Sequence, residues 1–204
     1  MIAIIDYGMG NVRSVAGALE YIGEEAVVTD DPSEIAAADR LVLPGVGAFG
    51  DAMANLGSRG LVEVLDHEVI RGEKPFLGIC LGLQLLAKSS QEHGQHAGLG
   101  WIDADVVRFD SADSGLKVPH MGWNDIEPVP EHFLFDRLRP VDMAFYFVHS
   151  FHIVCRDPGQ VVATCDYGYP FAAVIAWDNI VATQFHPEKS QDNGLQVLRN
   201  FCSM

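Results

Sequence analysis

Lys74-Pro75-Phe76-Leu77-Gly78-Ile79-Cys80-Leu81-Gly82-Leu83-Gln84-Leu85-Leu86 reads as a buried strand, one sharp turn and a helix, with Cys80 at the turn. A side chain on such a corner has its backbone in an unusual conformation and the next helical turn crowded against it. The residues two positions away on either side must then be nearly atomless, and Gly78 and Gly82 meet that need. The pattern is that of the nucleophile elbow G-x-S-x-G, with a thiol replacing the hydroxyl. A helix starting after Cys80 aims free N–H groups at the sulfur and favours the thiolate. Taken alone, the same residues also suit a small buried core cysteine, the commonest state of a free thiol.

Outward from this stretch, strand and helix signals alternate. Met1 to Asp6 is a short apolar run, followed by the turn Tyr7-Gly8-Met9-Gly10-Asn11 and by Val12, Val15, Ala16, Leu19 and Ile22 at helical spacing. The turn lacks the third glycine of a dinucleotide fingerprint and reads as a tight connection at the carboxyl edge of a sheet. Ala26–Thr29 and Arg40–Leu43 are further strands, with a short helix starting at Asp31-Pro32-Ser33-Glu34 between them. Ser89 to Gly100 reads as a polar loop, and Val118 to Asn124 breaks the pattern. Ala144–His149, Gln160–Thr164, Ala172–Ala176 and Ile180–Phe185 then follow as strands, some joined by short turns such as Trp177-Asp178-Asn179. Leu195, Leu198 and Phe201 mark a closing helix. The expected fold class is α/β: a mostly parallel central sheet, helices on both faces and added antiparallel strands.

The chain's 204 residues, 49% of them hydrophobic, suit a single soluble domain spanning 1–204. A formal net charge of −15, with Lys and Arg scattered, leaves no electrostatic footprint for nucleic acid or an anionic membrane. Cys80, Cys155, Cys165 and Cys202 show neither C-x-x-C spacing nor disulfide density, and the eight histidines form no metal-ligand spacing. No metal and no cofactor are expected. Without a signal-peptide pattern or a membrane-length apolar run, the expected location is the reducing cytoplasm.

A thiol nucleophile needs a base, an orienter for that base and an oxyanion site. Gln184-Phe185-His186-Pro187-Glu188 ends the last apolar strand, and Pro187 keeps His186 extended. His186 and Glu188 then project from one face, an imidazole beside the carboxylate that stabilises its protonated form. Read in isolation, the segment is also a capped strand end with a surface His and Glu. Pro44-Gly45-Val46-Gly47-Ala48-Phe49-Gly50 lacks the Gly-Lys-Ser/Thr ending of a phosphate loop. Exposed backbone N–H groups aimed at a developing oxyanion are the preferred use of that loop. Taken together, the three segments point to cysteine-dependent acyl transfer. Among the other histidines, His120 and His149 have loop character, while His67, His93, His96, His132 and His152 read as solvated or packing residues.

With these stretches in place, the chain closely resembles the class I (triad) glutamine amidotransferase family, of flavodoxin-like architecture, and within it the glutaminase subunits of imidazole glycerol phosphate synthase. The resemblance is carried by Asp6–Asn11, Leu43–Phe49, Gly78–Gln84, Pro119–Asn124, Tyr146–Ser150 and Thr183–Ser190. It implies hydrolysis of L-glutamine to glutamate and ammonia, with Cys80 as nucleophile, His186 as general base and then acid, and Glu188 orienting His186. It implies oxyanion binding by the backbone of Gly47, after local rearrangement, and Leu81. It also implies a glutamine pocket of Gln84, Glu92, Ser150 and Phe151, where position 151, often tyrosine in relatives, is phenylalanine here. The partner it implies is a (β/α)8 cyclase subunit, HisF, in a heterodimer that receives ammonia through an internal channel, with Asn11, Trp123, Tyr146 and Lys189 near the interface. The rival readings are a glutaminase subunit of anthranilate or aminodeoxychorismate synthase, and a catalytically silent binding module on the same fold.

Overall fold

The computed structural model describes residues 1–110, 116–138 and 143–204. The first half alternates strands and helices: β1 (Ile2–Ile5), α1 (Val12–Tyr21), β2 (Ala26–Thr29), α2 (Pro32–Ala37), β3 (Arg40–Gly45), α3 (Phe49–Ser58) and α4 (Leu61–Leu65), which runs on into a π-helical turn (Asp66–Arg71). Next come β4 (Phe76–Cys80), α5 (Leu81–Gln84), β5 (Ala87–Ser90), β6 (His96–Ala97), β7 (Ile102–Arg108), β8 (His120–Asp125) and β9 (Glu127–Pro128). The remainder is β10 (Ala144–His149), β11 (Phe151–Cys155), β12 (Val161–Asp166), β13 (Pro170–Trp177), β14 (Ile180–Thr183) and α6 (Gln191–Cys202).

Eight strands form the central sheet in the order β2-β1-β3-β4-β14-β13-β12-β9, parallel from β2 to β14 and antiparallel beyond. The inner strands read as continuous apolar runs because both of their faces are covered. Ile2, Ile4, Val42, Leu77 and Ile79 pack with α1 and α6 on one side. Ala3, Ile5, Leu41, Leu43 and Phe76 pack with α2, α3 and α4 on the other. The expected α/β fold with helices on both faces is what the chain adopts.

Several local expectations are corrected. The polar stretch Ser89 to Gly100 is not all loop: β5 and β6 join β7 and β11 in a separate sheet of order β11-β7-β5-β6. Its serine and charged residues pair across strands, as Ser89 Oγ does with Asp105 at 2.6 Å, so polarity there marks a half-exposed sheet. Val118 to Asn124 contains all of β8 but its last residue, and β8 pairs antiparallel with β10 in a two-stranded ribbon, His120 opposite His149 and Trp123 opposite Tyr146. His120 and His149 therefore lie on strands. β10 is the strand expected over Ala144–His149, whereas β8 was hard to read because its outer face carries Met121 and Trp123, 64% and 50% exposed, while its inner face buries a histidine. The antiparallel additions to the central sheet are β13, β12 and β9, whereas β10 and β11 belong elsewhere. The helix after Cys80 is a single turn, after which the chain enters β5. A macrodipole has little length to build up there, so any help to the sulfur comes from local amides.

Candidate active site

The register of the parallel strands brings three loop starts together. Gly45, the last residue of β3, lies beside Cys80, the last of β4, and Thr183 of β14 pairs with Ile79. The Pro44–Gly50 loop, the elbow and the Gln184–Glu188 segment thus emerge side by side at the carboxyl edge of the sheet, where open α/β sheets hold ligands.

Cys80 has φ 55° and ψ −106°, a strained corner for a residue with a side chain. The glycines around it are sterically required. A Cβ on Gly82 would run into the carbonyl oxygen of Leu43, and one on Gly78 would sit 2.8 Å from the carbonyl oxygen of Gly82. Gly45 is hemmed in likewise, its Cβ position lying 2.6 Å from the Tyr7 hydroxyl and 2.7 Å from Leu81 Cβ. That hydroxyl is buried without a hydrogen-bond partner, and burial, then the nearby Cys80 sulfur, push its pKa up.

His186 Nδ1 and Glu188 Oε1 are 2.8 Å apart, with side chains 2% and 1% exposed. Burial alone would depress the imidazole; Cys80 and Glu188 outweigh it and raise His186 to about 9. Nε2 is buried with no aligned hydrogen bond, although Cys80 is close enough to perturb the ring. The backbone of His186 is held on both sides: its N–H donates to Tyr146 O at 2.9 Å, and its carbonyl accepts from Ser190 Oγ at 2.6 Å. Ser190 Oγ in turn accepts from the Tyr146 N–H at 3.0 Å.

A cavity of about 340 Å³ opens at Cys80, lined among others by Gly47, Leu81, Gln84, Glu92, Ser150 and Phe151. All the residues expected to bind the oxyanion and glutamine thus surround the cysteine. Gly47 has φ 101°, a conformation that favours glycine. The Glu92 carboxylate accepts from Phe49 N at 2.7 Å, tying it to the first turn of α3. Of the residues expected near an interface, Trp123, Tyr146 and Lys189 form one patch. The Trp123 and Tyr146 rings are 6.1 Å apart, and Lys189 Nζ lies 5.7 Å from the Tyr146 ring centre. Asn11 immediately precedes α1 without a side-chain capping bond, and that helix packs against the Pro187–Lys189 turn.

Sequence reasoning missed Gln184, fully buried, whose amide nitrogen points at Cys80 Sγ from 3.8 Å. It also undervalued His149, which lines the cavity together with Val46, Pro119 and Val148. A glutamine inside an apolar strand end was the available signal, since a buried polar side chain requires partners. Among the described residues no three His, Cys, Asp or Glu side chains gather as metal ligands, and no helix is long and apolar enough to cross a membrane.

Comparison with known proteins gives the family. The family model described as glutamine amidotransferase class-I matches residues 3–204. The chain belongs to the class-I glutamine amidotransferase family. Within that family it is 54% identical, over 100% of both chains, to imidazole glycerol phosphate synthase subunit HisH of Syntrophotalea carbinolica. It is 52% identical to HisH 2 of Nitrobacter winogradskyi, over 98% of this chain and 96% of that one. The fold matches the solved structure of PurLQS from Thermotoga maritima with a TM-score of 0.75 at 18% identity, covering 99% of this chain and 97% of that chain. The flavodoxin-like amidotransferase architecture therefore holds for this class-I amidotransferase.

Proposed function

We propose that this class-I glutamine amidotransferase is the glutaminase subunit of an imidazole glycerol phosphate synthase, acting in the cytoplasm as one domain over residues 1–204. The observation that carries the reading is the convergence of Cys80, the buried His186–Glu188 pair and the Gly47 loop on one cavity. Identity above half to HisH proteins along the whole chain supports the choice of synthase.

In this reading glutamine enters with its α-ammonium toward Glu92 and its carboxamide over Cys80. Sγ attacks the carboxamide carbon as its proton passes to His186 Nε2, and Glu188 stabilises the imidazolium from Nδ1. The tetrahedral oxyanion is taken by backbone N–H groups of Leu81 and, after local rearrangement, Gly47. His186 then protonates the leaving nitrogen, ammonia departs, and water activated by the same imidazole cleaves the thioester to glutamate. The ammonia passes to a (β/α)8 cyclase, HisF, docked over Asn11, Trp123, Tyr146 and Lys189, yielding imidazole glycerol phosphate and aminoimidazole carboxamide ribonucleotide. The test is glutamate release with and without the purified cyclase and its ribonucleotide ligand. Strong stimulation by the cyclase is expected. Stimulation by an anthranilate or aminodeoxychorismate synthase subunit instead would reassign the synthase, and no turnover with any partner would make the chain a silent module.

A further inference from the structure

The backbone carbonyl of Phe151, in the cavity wall, accepts hydrogen bonds and can never donate them. Two side chains converge on it: Gln84 Nε2 at 2.9 Å and His149 Nδ1 at 2.8 Å. The Gln84 atom facing it is therefore the NH2 group, and the His149 nitrogen facing it carries a proton. Gln84 NH2 also meets Gln184 at 3.1 Å, so the Gln184 atom on that side is the carbonyl Oε1. The amide nitrogen of Gln184 is left pointing at Cys80 Sγ, 3.8 Å away.

The same carbonyl fixes polarity in the other direction. Burial holds His149 down to about 3 and His120 down to about 4, so both rings are neutral near pH 7. With its proton on Nδ1, His149 accepts at Nε2 from His120 Nδ1, 3.2 Å away. His120 Nε2 in turn accepts from Asn124 Nδ2 at 3.4 Å, and that amide is oriented by its 2.8 Å bond to the Asp166 carbonyl. The bonds thus run from both sides of the Phe151 carbonyl, donated to it by His149 on the ribbon side and by Gln84 on the side of the sulfur.

We propose that Gln184 is a further catalytic group in the Cys80 reaction, its amide N–H donating to the sulfur and stabilising the thiolate, with Gln84 as the positioning residue that aims it. The inference rests on the reading of Cys80 as nucleophile. As a thiol, Cys80 turns its S–H toward Val148 O at 4.0 Å. Once the proton has moved to His186 Nε2, that carbonyl faces a negative sulfur and offers it nothing. The Gln184 donor strengthens at the same step, because a donor to the charged form acts on that form selectively. Among titratable groups, His186 and Tyr7 also sense the sulfur.

The test is iodoacetamide alkylation of the full chain, followed at Cys80 by peptide mass spectrometry. Burial, then neighbouring charges, push Cys155 up to about 11 and Cys165 and Cys202 up to about 12, so these thiols react slowly near neutrality. Gln184→Met is expected to slow Cys80 alkylation about three- to tenfold near pH 7, and the difference should vanish where the thiol is fully ionised in both proteins. Equal rates near neutrality overturn the inference and leave Cys80 as nucleophile. A wild-type rate no faster than that of a free cysteine overturns the nucleophile reading, and the inference with it. A second measurement avoids any folding defect in the variant: the Gln184 side-chain 15N resonance of the wild-type chain should move with ionisation of Cys80 and stop moving in Cys80→Ala. A resonance that stays fixed as Cys80 ionises also overturns the inference.

Discussion

Nε2 of His186 is buried without an aligned partner while Nδ1 is committed to Glu188, which leaves one ring nitrogen available for the Cys80 proton. Glu188→Gln keeps an oxygen acceptor for Nδ1–H but removes the charge that stabilises the imidazolium. Glutaminase kcat in the partner-stimulated enzyme is expected to fall by about a hundredfold or more, with the fold retained. A fall of less than tenfold would argue that Glu188 orients the ring only sterically. Tyr7 offers a test of packing at the same site. Its hydroxyl is fully buried and unpartnered beside Gly45, so it carries a desolvation cost that no hydrogen bond offsets. Tyr7→Phe should stabilise the chain by about 1 kcal/mol in urea unfolding. Destabilisation by a similar amount would show that the hydroxyl has a partner in solution.

At the level of elements, the β8–β10 ribbon places His149 against the cavity and His120 behind it, both neutral. His149 and His120 have folded pKa values of about 3 and about 4, below the ordinary value of 6.5. The unfolded chain therefore binds protons that the folded chain refuses, so their contribution to stability is present above pH 6.5 and lost as pH falls toward 4 and 3. His186 runs the opposite way: raised to about 9, its contribution is present below 6.5 and lost as pH rises through about 9. Thermal midpoints measured across this range should fall at both ends. His120→Phe, whose ring suits the stacks with Phe147 at 4.8 Å and Tyr167 at 4.0 Å, should flatten the acid side. An acid side as steep as that of the wild type would exclude His120 as its source.

These elements also show how far the chain could be read in advance. The elbow was legible because its glycines stand at fixed offsets from the cysteine, the one at Gly78 for a local reason, the collision of a Cβ with Gly82, and the one at Gly82 because β3 packs Leu43 against it. The parallel core was legible because strands covered on both faces spell unbroken apolar runs. β10 was legible over Ala144–His149, but β8 and its pairing with β10 were not, since that pairing is long-range and β8 buries His120 where a hydrophobic residue would be expected. Gln184 escaped for a related reason. Its partners Gln84 and Cys80 lie about a hundred residues away in sequence, and only the fold brings them together.

For the whole molecule, the exposed face of Met121 and Trp123, continued by Tyr146 and Lys189, lies directly behind His186, whose N–H is fixed to Tyr146. A partner gripping Lys189 would pull on the residue next to Glu188. Lys189→Ala should weaken the stimulation of glutaminase by the cyclase ligand without lowering the thermal midpoint, as read by glutamate release in the complex. Unchanged stimulation would remove Lys189 from the coupling.

The central claim, that Cys80 attacks glutamine and the product ammonia serves another chain, is tested most directly by glutamate release in the complex with cyclase and ligand, for wild type and Cys80→Ala side by side. Very slow release by the wild-type chain alone, strong stimulation in the complex and none from Cys80→Ala are expected. Glutamine turnover that persists in Cys80→Ala would contradict the mechanism.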